Sequence, residues 1–464
     1  MSKNLNRRDF LKVLGSSASV LGAAYVAPNI IGKTSRGYLV ESEELYGGFL
    51  VEKLSRGDVP YEIDPDVIEP MSEKFTIFSR NKWDPKRQDR PELSSNLTKE
   101  RLVDKEGKVP NQTRLDYALM AASWGTAFMR SPHYDWDVST GMIMGMGLPQ
   151  LGPWDPADLD MSWEDASLAV KHAGNFYGAS LTGIADLNPL WMYSDHYAPS
   201  DDDIERTIPV TSEGERLEQT EDAWYIPESM NKVIVLAFEE DFMGIANSPG
   251  RVASATVGNG YSRMKFTSFH LAEFIRALGY RAIPAGNGVG LSVPMAIDAG
   301  LGQLGRLNLL VTPKYGPRVR LAKVITDMPL VPDAPINFGV TEFCEACEIC
   351  ADECPSGSIP RGPRTWEPVS DSNNPGALKW YCELEKCYDF NGFSCSNCKR
   401  VCPFNKPNNS WLHQATRLAV RGKSQALDGL MKNLDQASGY GKQVQDTEWW
   451  ALDPEDTITG REKM

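Results

Sequence analysis

Nine cysteines occur in this sequence, and all of them fall between Cys344 and Cys402. One run reads Cys344-x-x-Cys347-x-x-Cys350-x-x-x-Cys354-Pro355; another reads Cys395-x-x-Cys398-x-x-x-Cys402-Pro403, with Cys382 and Cys387 upstream of it. A disulfide framework spreads its cysteines along the chain and comes in an even number, so this clustering points to metal ligation. Thiolates are soft ligands, and a cubane iron–sulfur cluster takes four of them. Short gaps let one loop wrap three irons while the fourth ligand crosses from the other motif. The spacing assigns Cys344, Cys347, Cys350 and Cys402 to one [4Fe–4S] cluster and Cys354, Cys387, Cys395 and Cys398 to a second. Zinc in two Cys-x-x-Cys pairs is the rival; the two Cys-x-x-x-Cys-Pro endings speak against it. Cys382 competes with Cys387 for the last ligand position. The shorter gap to Cys395 favours Cys387 and leaves Cys382 as an ordinary buried thiol.

Two clusters in series move electrons one at a time, and a module of that kind needs only about 60 residues. The chain has 464, enough for two or three domains. The long stretch before Cys344 must therefore house a partner surface or an active site. A formal net charge of −14 repels phosphate backbones and argues against nucleic acid as a partner. No apolar run is long enough to predict a transmembrane helix. The N-terminus carries Arg7-Arg8 followed by Phe10-Leu11-Lys12 and an uncharged stretch from Val13 to Ala27, the order expected of a twin-arginine export signal over residues 1–32. A chance arginine pair on an amphipathic helix is the plain alternative.

The elements that must position this chemistry are partly legible. Residues 33–110 are polar and rich in proline, and predict an irregular wrapping unit with short helices. Helices are expected over 111–130, 163–177, 262–278 (closed by Gly279) and 292–299, and strands over 180–185 and 232–238. A further strand pair is expected near 307–312 and 319–326, and 280–290 reads as a strand entering a glycine loop. Residues 194–229 are acidic and read as a loop-like insertion. Alternating helices and strands imply a layered α/β core. The loop Gly286, Gly288, Gly290 is not the dinucleotide fingerprint, so NAD is not indicated. It can let a large flat cofactor approach the backbone, or it is a simple strand–helix turn.

The segment 258–343 carries a resemblance. It contains Gly260-Tyr261-Ser262-Arg263-Met264, Ala282-Ile283-Pro284-Ala285-Gly286-Asn287-Gly288-Val289-Gly290 and Ala299-Gly300-Leu301-Gly302-Gln303-Leu304-Gly305-Arg306. Thr312-Pro313-Lys314-Tyr315-Gly316-Pro317, Arg318-Val319-Arg320 and Phe338-Gly339-Val340-Thr341-Glu342-Phe343 follow. With Gly178-Ala179 and Trp191-Met192-Tyr193-Ser194 upstream, the chain over roughly 165–415 closely resembles the respiratory corrinoid and iron–sulfur reductive dehalogenases. The resemblance implies a nitroreductase-like α/β/α corrinoid-binding core over 111–338, a bacterial two-cluster ferredoxin-like domain over 339–410, and a C-terminal tail over 411–464 that packs on the core. It implies a cobalamin-type corrinoid bound base-off, and no Asp-x-His-x-x-Gly lower-ligand motif is present. Gly286, Gly288, Gly290 and Ser292 become candidate cofactor contacts.

The family's proton donor falls on Tyr261, with Asn287 and Arg320 beside it. These residue types suit proton donation. A phenol keeps its proton at neutral pH, an arginine stabilises the phenolate left behind, and an asparagine can hold the phenol by hydrogen bonding. Taken without the resemblance, Tyr261 reads as a packing residue beside a helix start and Arg320 as a surface charge on a strand. The implied reaction replaces halogen by hydrogen, or eliminates two halides, in a small halogenated hydrocarbon during anaerobic organohalide respiration. The implied partners are a respiratory electron donor and a small integral membrane anchor at the outer face of the cytoplasmic membrane, with a homodimer left open. Two rivals remain. An epoxyqueuosine-reductase-like enzyme shares corrinoid, clusters and the Gly-Leu-Gly stretch, but should carry a basic face for tRNA. A ferredoxin-type electron-transfer subunit would have no chemistry of its own.

Overall fold

The computed structural model describes residues 37–41, 46–88, 115–116, 119, 123–124, 161–391, 395–405, 416 and 441–453. The export-signal segment 1–32 lies outside the described residues, as do most of 89–160 and most of the tail. Strands β1 (Gly37–Glu41) and β2 (Leu50–Leu54) form an antiparallel hairpin in the stretch expected to be irregular. Helix α1 (Ile77–Trp83) follows; its buried Arg80 reaches across to Ser372 and to the Asp371 and Glu385 carboxylates.

The half of the chain before the cysteine segment is organised by helix α2 (Trp163–Phe176) and strand β3 (Leu181–Asp186). The Ser162 hydroxyl accepts the Asp165 N–H at 3.1 Å, and two acidic residues in the first turn suit the helix dipole. The acidic insertion is then a correction to the loop expected over 194–229. Short strands β4 (Asp195–Tyr197), β5 (Thr207–Thr211), β6 (Glu218–Gln219) and β7 (Trp224–Tyr225) form a four-stranded sheet ordered β4-β5-β7-β6. Acidic turn residues masked strands of only two to five residues, too short for period-two alternation to register.

Strand β8 (Lys232–Glu239) leads to helix α3 (Arg251–Ala277), strand β9 (Ala282–Ala285) and helix α4 (Ser292–Asp298). After β10 (Gln303–Leu304) and β11 (Leu310–Val311) comes β12 (Val319–Thr326). The central sheet runs β3-β8-β12-β9, and every pairing in it is antiparallel. The expected pairing of 307–312 with 319–326 does not occur: β11 pairs with β10, whereas β12 lies between β8 and β9. Strand β8 is apolar without a break because it is covered on both faces. Ile234, Leu236 and Phe238 pack under α2 and α3, whereas Val233, Val235 and Ala237 pack towards α4.

Helix α3 starts eleven residues before the 262 expected from the sequence, so Tyr261 lies in mid-helix and not beside a start. Gly258 and Gly260 hid the first half, because glycine disfavours a helix interior. Both allow close approach. A Cβ on Gly258 would stand 2.7 Å from the Trp124 ring, and one on Gly260 2.8 Å from Arg320 Cγ.

Strand β13 (Ile336–Asn337) adds to β2 and closes a three-stranded sheet. Four short helices then carry the cysteine segment: α5 (Val340–Ala346), α6 (Ile349–Asp352), α7 (Leu384–Asn391) and α8 (Asn397–Arg400). Their core mixes Phe49 and Val51 of the N-terminal hairpin with Phe338, Phe343, Trp380 and Phe404. From the tail, Val444 and Asp446 hydrogen-bond Asn247 of the core.

Candidate active site and metal centre

The cysteines lie near enough to one another to interact electrostatically. Burial first, then Cys344, Cys402, Cys398 and Cys347 push the Cys350 thiol well above the usual thiol range. Cys398 is raised by burial, then by Cys395 and Cys387, with Cys354 also contributing. Mutual repulsion of this kind is what neighbouring thiols show without metal, and bound metal reverses it by holding them as thiolates. Among the described residues, no three Cys, His, Asp or Glu side chains are arranged to hold a single metal ion. A cubane instead takes each thiolate on a separate iron. Cys354 departs from the others. Burial raises its thiol, but the Ser356 hydroxyl and the N–H groups of Ile359, Ser358 and Ser356 bring it below the usual range, a donor nest suited to a ligating thiolate. Cys387 is pushed up to about 12 by desolvation, then by Cys395 and Cys354. Cys382 is raised by burial and then by Cys387, and its thiol stands 4.0 Å from the Arg306 carbonyl oxygen.

Arg306 closes the Gly-Leu-Gly stretch and is fully buried. Its guanidinium donates to the carbonyls of Cys344 at 2.7 Å, Cys347 at 3.2 Å, Pro360 at 3.0 Å and Gly362 at 2.8 Å, and stacks 4.7 Å from the Trp380 ring. A residue from before the cysteine segment thus clamps the first cysteine loop. Arg306→Lys keeps the charge but loses the fork of donors. It is expected to cost about 3 kcal/mol and to speed iron release, which thermal unfolding and an iron-chelator time course would measure.

Tyr261, Asn287 and Arg320 come together although they stand on a helix, a loop and a strand. Asn287 Nδ2 lies 3.3 Å from the Tyr261 hydroxyl, and an Arg320 guanidinium nitrogen lies 3.4 Å from it on another side. The Arg320 guanidinium is 4.7 Å from the Tyr261 ring centroid, and Trp124 stacks on that ring at 5.3 Å. Arg320 is fixed by Glu240, which accepts its Nε–H at 3.0 Å. Burial alone would raise the Glu240 carboxyl; Lys399 and then Arg320 hold it below the ordinary carboxylate range. Trp124, Glu240 and Lys399 were not found by sequence reasoning. Trp124 lies in a stretch without alignable motif, and Glu240 reads as the polar end of an apolar strand.

Tyr261 lines a cavity of about 810 Å³ together with Trp124, Trp191, Tyr193, the loop 286–292, and His196 and Trp224 of the insertion. His196 stacks on Trp224 at 4.0 Å and pairs with Glu73 at 2.6 Å. The glycines of the loop differ. A Cβ on Gly288 would meet nothing within 4 Å and one on Gly286 only Met264 at 3.7 Å, so both leave the cavity wall open. Gly290 is demanded by packing, since its Cβ would stand 2.4 Å from the Trp191 carbonyl oxygen. Val289 between them has φ 71°, a left-handed conformation that a β-branched residue adopts only under constraint.

Beneath the loop lies Lys323, fully buried, donating to the Gly286 carbonyl at 2.7 Å and to Ser292 Oγ at 2.9 Å. Ser292 therefore braces the loop as well as facing the cavity. Burial holds the Lys323 amine down to about 7. In an unfolded chain a lysine keeps its proton to about pH 10.4, so between these values the unfolded state binds more protons and stability rises with pH. The penalty of burying the charged amine is full below about pH 7 and fades towards about pH 10.4. Raising the pH from about 6 to about 9 is expected to lift the Tm of the wild type more than that of Lys323→Met, read by thermal unfolding at both values.

No family model matches the chain. It is 41% identical over 314 residues to the tetrachloroethene reductive dehalogenase of Sulfurospirillum multivorans, covering 64% of this chain and 62% of that one. To the tetrachloroethene reductive dehalogenase of Desulfitobacterium hafniense it is 36% identical over 388 residues, covering 72% of this chain and 69% of that one. A solved reductive dehalogenase, whose structure suggests a mechanism for B12-dependent dehalogenation, superposes with a TM-score of 0.60 at 18% identity over 86% of this chain. At that identity the likeness is one of fold. The chain spans less than two thirds of the Sulfurospirillum relative and half of the solved chain. Two thirds of the Desulfitobacterium relative are nonetheless matched well above 30% identity, and this chain belongs to the reductive dehalogenase family.

Proposed function

We propose that the protein reduces a small organohalide, with a cobalamin-type corrinoid in the cavity beside Tyr261 and two [4Fe–4S] clusters on the cysteines assigned above. The observation that carries this is the convergence of Asn287 and Arg320 on a tyrosine hydroxyl at the wall of a large, mostly apolar cavity. In finer detail the reading is a nitroreductase-like core followed by a ferredoxin-like cluster domain. The open backbone at Gly286 and Gly288 and the thiol sets with their donor nest fit these groups. When bound, the corrinoid supplies low-valent cobalt and the clusters supply electrons singly.

The protein's residues do the rest. The carbon–halogen bond breaks with uptake of two electrons, halide leaves, and the carbon takes one proton. Tyr261 gives that proton from its hydroxyl, Arg320 stabilises the phenolate, and Asn287 fixes the oxygen towards the cavity. Aromatic walls exclude water and suit an apolar halocarbon. Arg7-Arg8 supports export by the twin-arginine route and work at the outer face of the cytoplasmic membrane. Among the described residues no helix is long and apolar enough to cross a membrane, which suits attachment through a small membrane partner.

An anaerobic halide-release screen across chloroethenes, chloroethanes, chloropropanes and haloaromatics, with reductant and reconstituted protein, tests the reading. Halide release from at least one class is expected. Cobalt and iron in place with no halide from any class would refute it.

A further inference from the structure

A buried chain of charge joins the tyrosine to the cysteine segment. Glu240 follows strand β8 and is 1% exposed; its amide donates to the Arg318 carbonyl at 2.8 Å, which fixes its position. One carboxylate oxygen accepts Arg320 Nε–H at 3.0 Å and the other accepts the Lys399 ammonium. Arg320 lies over the Tyr261 ring at 4.7 Å, and Lys399, 4% exposed on α8, is the residue next to Cys398. The Cys398 thiol acts electrostatically on both cations. Gly260 makes the arrangement possible, since a side chain there would meet Arg320 Cγ at 2.8 Å and Glu240 Cγ at 3.8 Å.

Two cations share one anion, which leaves a single net positive charge in the interior. Buried ionic groups often add little to stability compared with apolar residues of similar size. In a low-dielectric interior, however, a charge acts over several ångströms on its neighbours. We propose that Glu240 is a positioning residue, and that the Arg320–Glu240–Lys399 triad couples proton donation at Tyr261 to the redox state of the cluster held by Cys398. The proposal rests on the function given above.

The phenolate left by Tyr261 adds a negative charge at one end of the triad, and an electron on the cluster adds one at the other. Both are stabilised by the same net positive charge, so they compete. Departure of the electron from the cluster frees the triad to stabilise the phenolate, which orders proton donation after electron transfer.

The test is an EPR-monitored redox titration of the full-length, cluster-loaded protein and its variants. Glu240→Gln adds net positive charge to the triad and should raise the potential of the Cys398 cluster. Lys399→Met and Arg320→Met remove positive charge and should lower it, even though Arg320 faces the tyrosine. The double variant Glu240→Gln/Lys399→Met restores the charge sum and should return close to wild type. It leaves one buried cation, Arg320, where the glutamine single variant leaves two, and so keeps the test open should that variant fail to fold. Shifts of equal sign in the glutamine and Lys399→Met variants, or no shift from Lys399→Met and Arg320→Met with cluster signals intact, would overturn the coupling and leave the dehalogenase reading standing. A wild-type protein without any iron–sulfur signal would overturn both.

Discussion

Replacing Tyr261 by phenylalanine is expected to cut halide release at least about 100-fold while cobalt and iron contents stay at wild-type levels. The substitution removes one oxygen and nothing else. The ring keeps its stack with Trp124 and its contact with the Arg320 guanidinium, and the helix is unaffected. Asn287 and Arg320 lose only a partner at 3.3 and 3.4 Å on the open side of the cavity, so the fold has little reason to change. The drop should appear in kcat more than in KM, because the hydroxyl is needed when carbon takes its proton and contributes little to holding an apolar substrate. Near-normal turnover with full cofactor content would take the proton-donor role from Tyr261.

The second large effect separates two cysteines that the sequence alone could not fully rank. Cys387→Ser is expected to drop iron from about eight to about four atoms per chain and to abolish turnover, because serine is a poor substitute for a thiolate ligand. Cys382→Ser should keep its iron. Cys387 is influenced by Cys395 and Cys354, its expected partners. Cys382 is pushed up to about 12 by burial and then by Cys387, with Cys354 also acting, but its thiol hydrogen-bonds the Arg306 carbonyl. Iron analysis with EPR of both variants decides the matter, and loss of iron from Cys382→Ser with retention in Cys387→Ser would reverse the assignment.

What could be read from the chain depended on whether a residue's role was local. Cysteine spacing is a local property, so a candidate ligand set for each cluster could be written from the sequence. Strand β8 was legible because eight consecutive residues carry an unbroken apolar pattern. The start of α3 was not, because Gly258 and Gly260 are tolerated for the sake of Trp124 and Arg320, which belong to distant parts of the chain. The same holds for Glu240. Its neighbours in sequence say nothing of Arg320 or Lys399, and only the packed structure brings two cations to one carboxylate. Gly290 resembled its loop companions in sequence, but it is fixed by the backbone at Trp191 and they are not. The triplet of Tyr261, Asn287 and Arg320 came from family resemblance, since three residues on different elements leave no periodic trace.

The pairing of β2 with β13 bears on how the molecule is made. The hairpin of β1 and β2 finds its third strand and the aromatic cover of Phe338, Phe343 and Phe404 only in segments far later in the sequence. On a ribosome Phe49 and Val51 must wait, uncovered, until the residues through Phe404 have emerged. Truncation ahead of Phe404 should therefore leave the hairpin of β1 and β2 vulnerable to proteolysis, because the cysteine segment is what covers it.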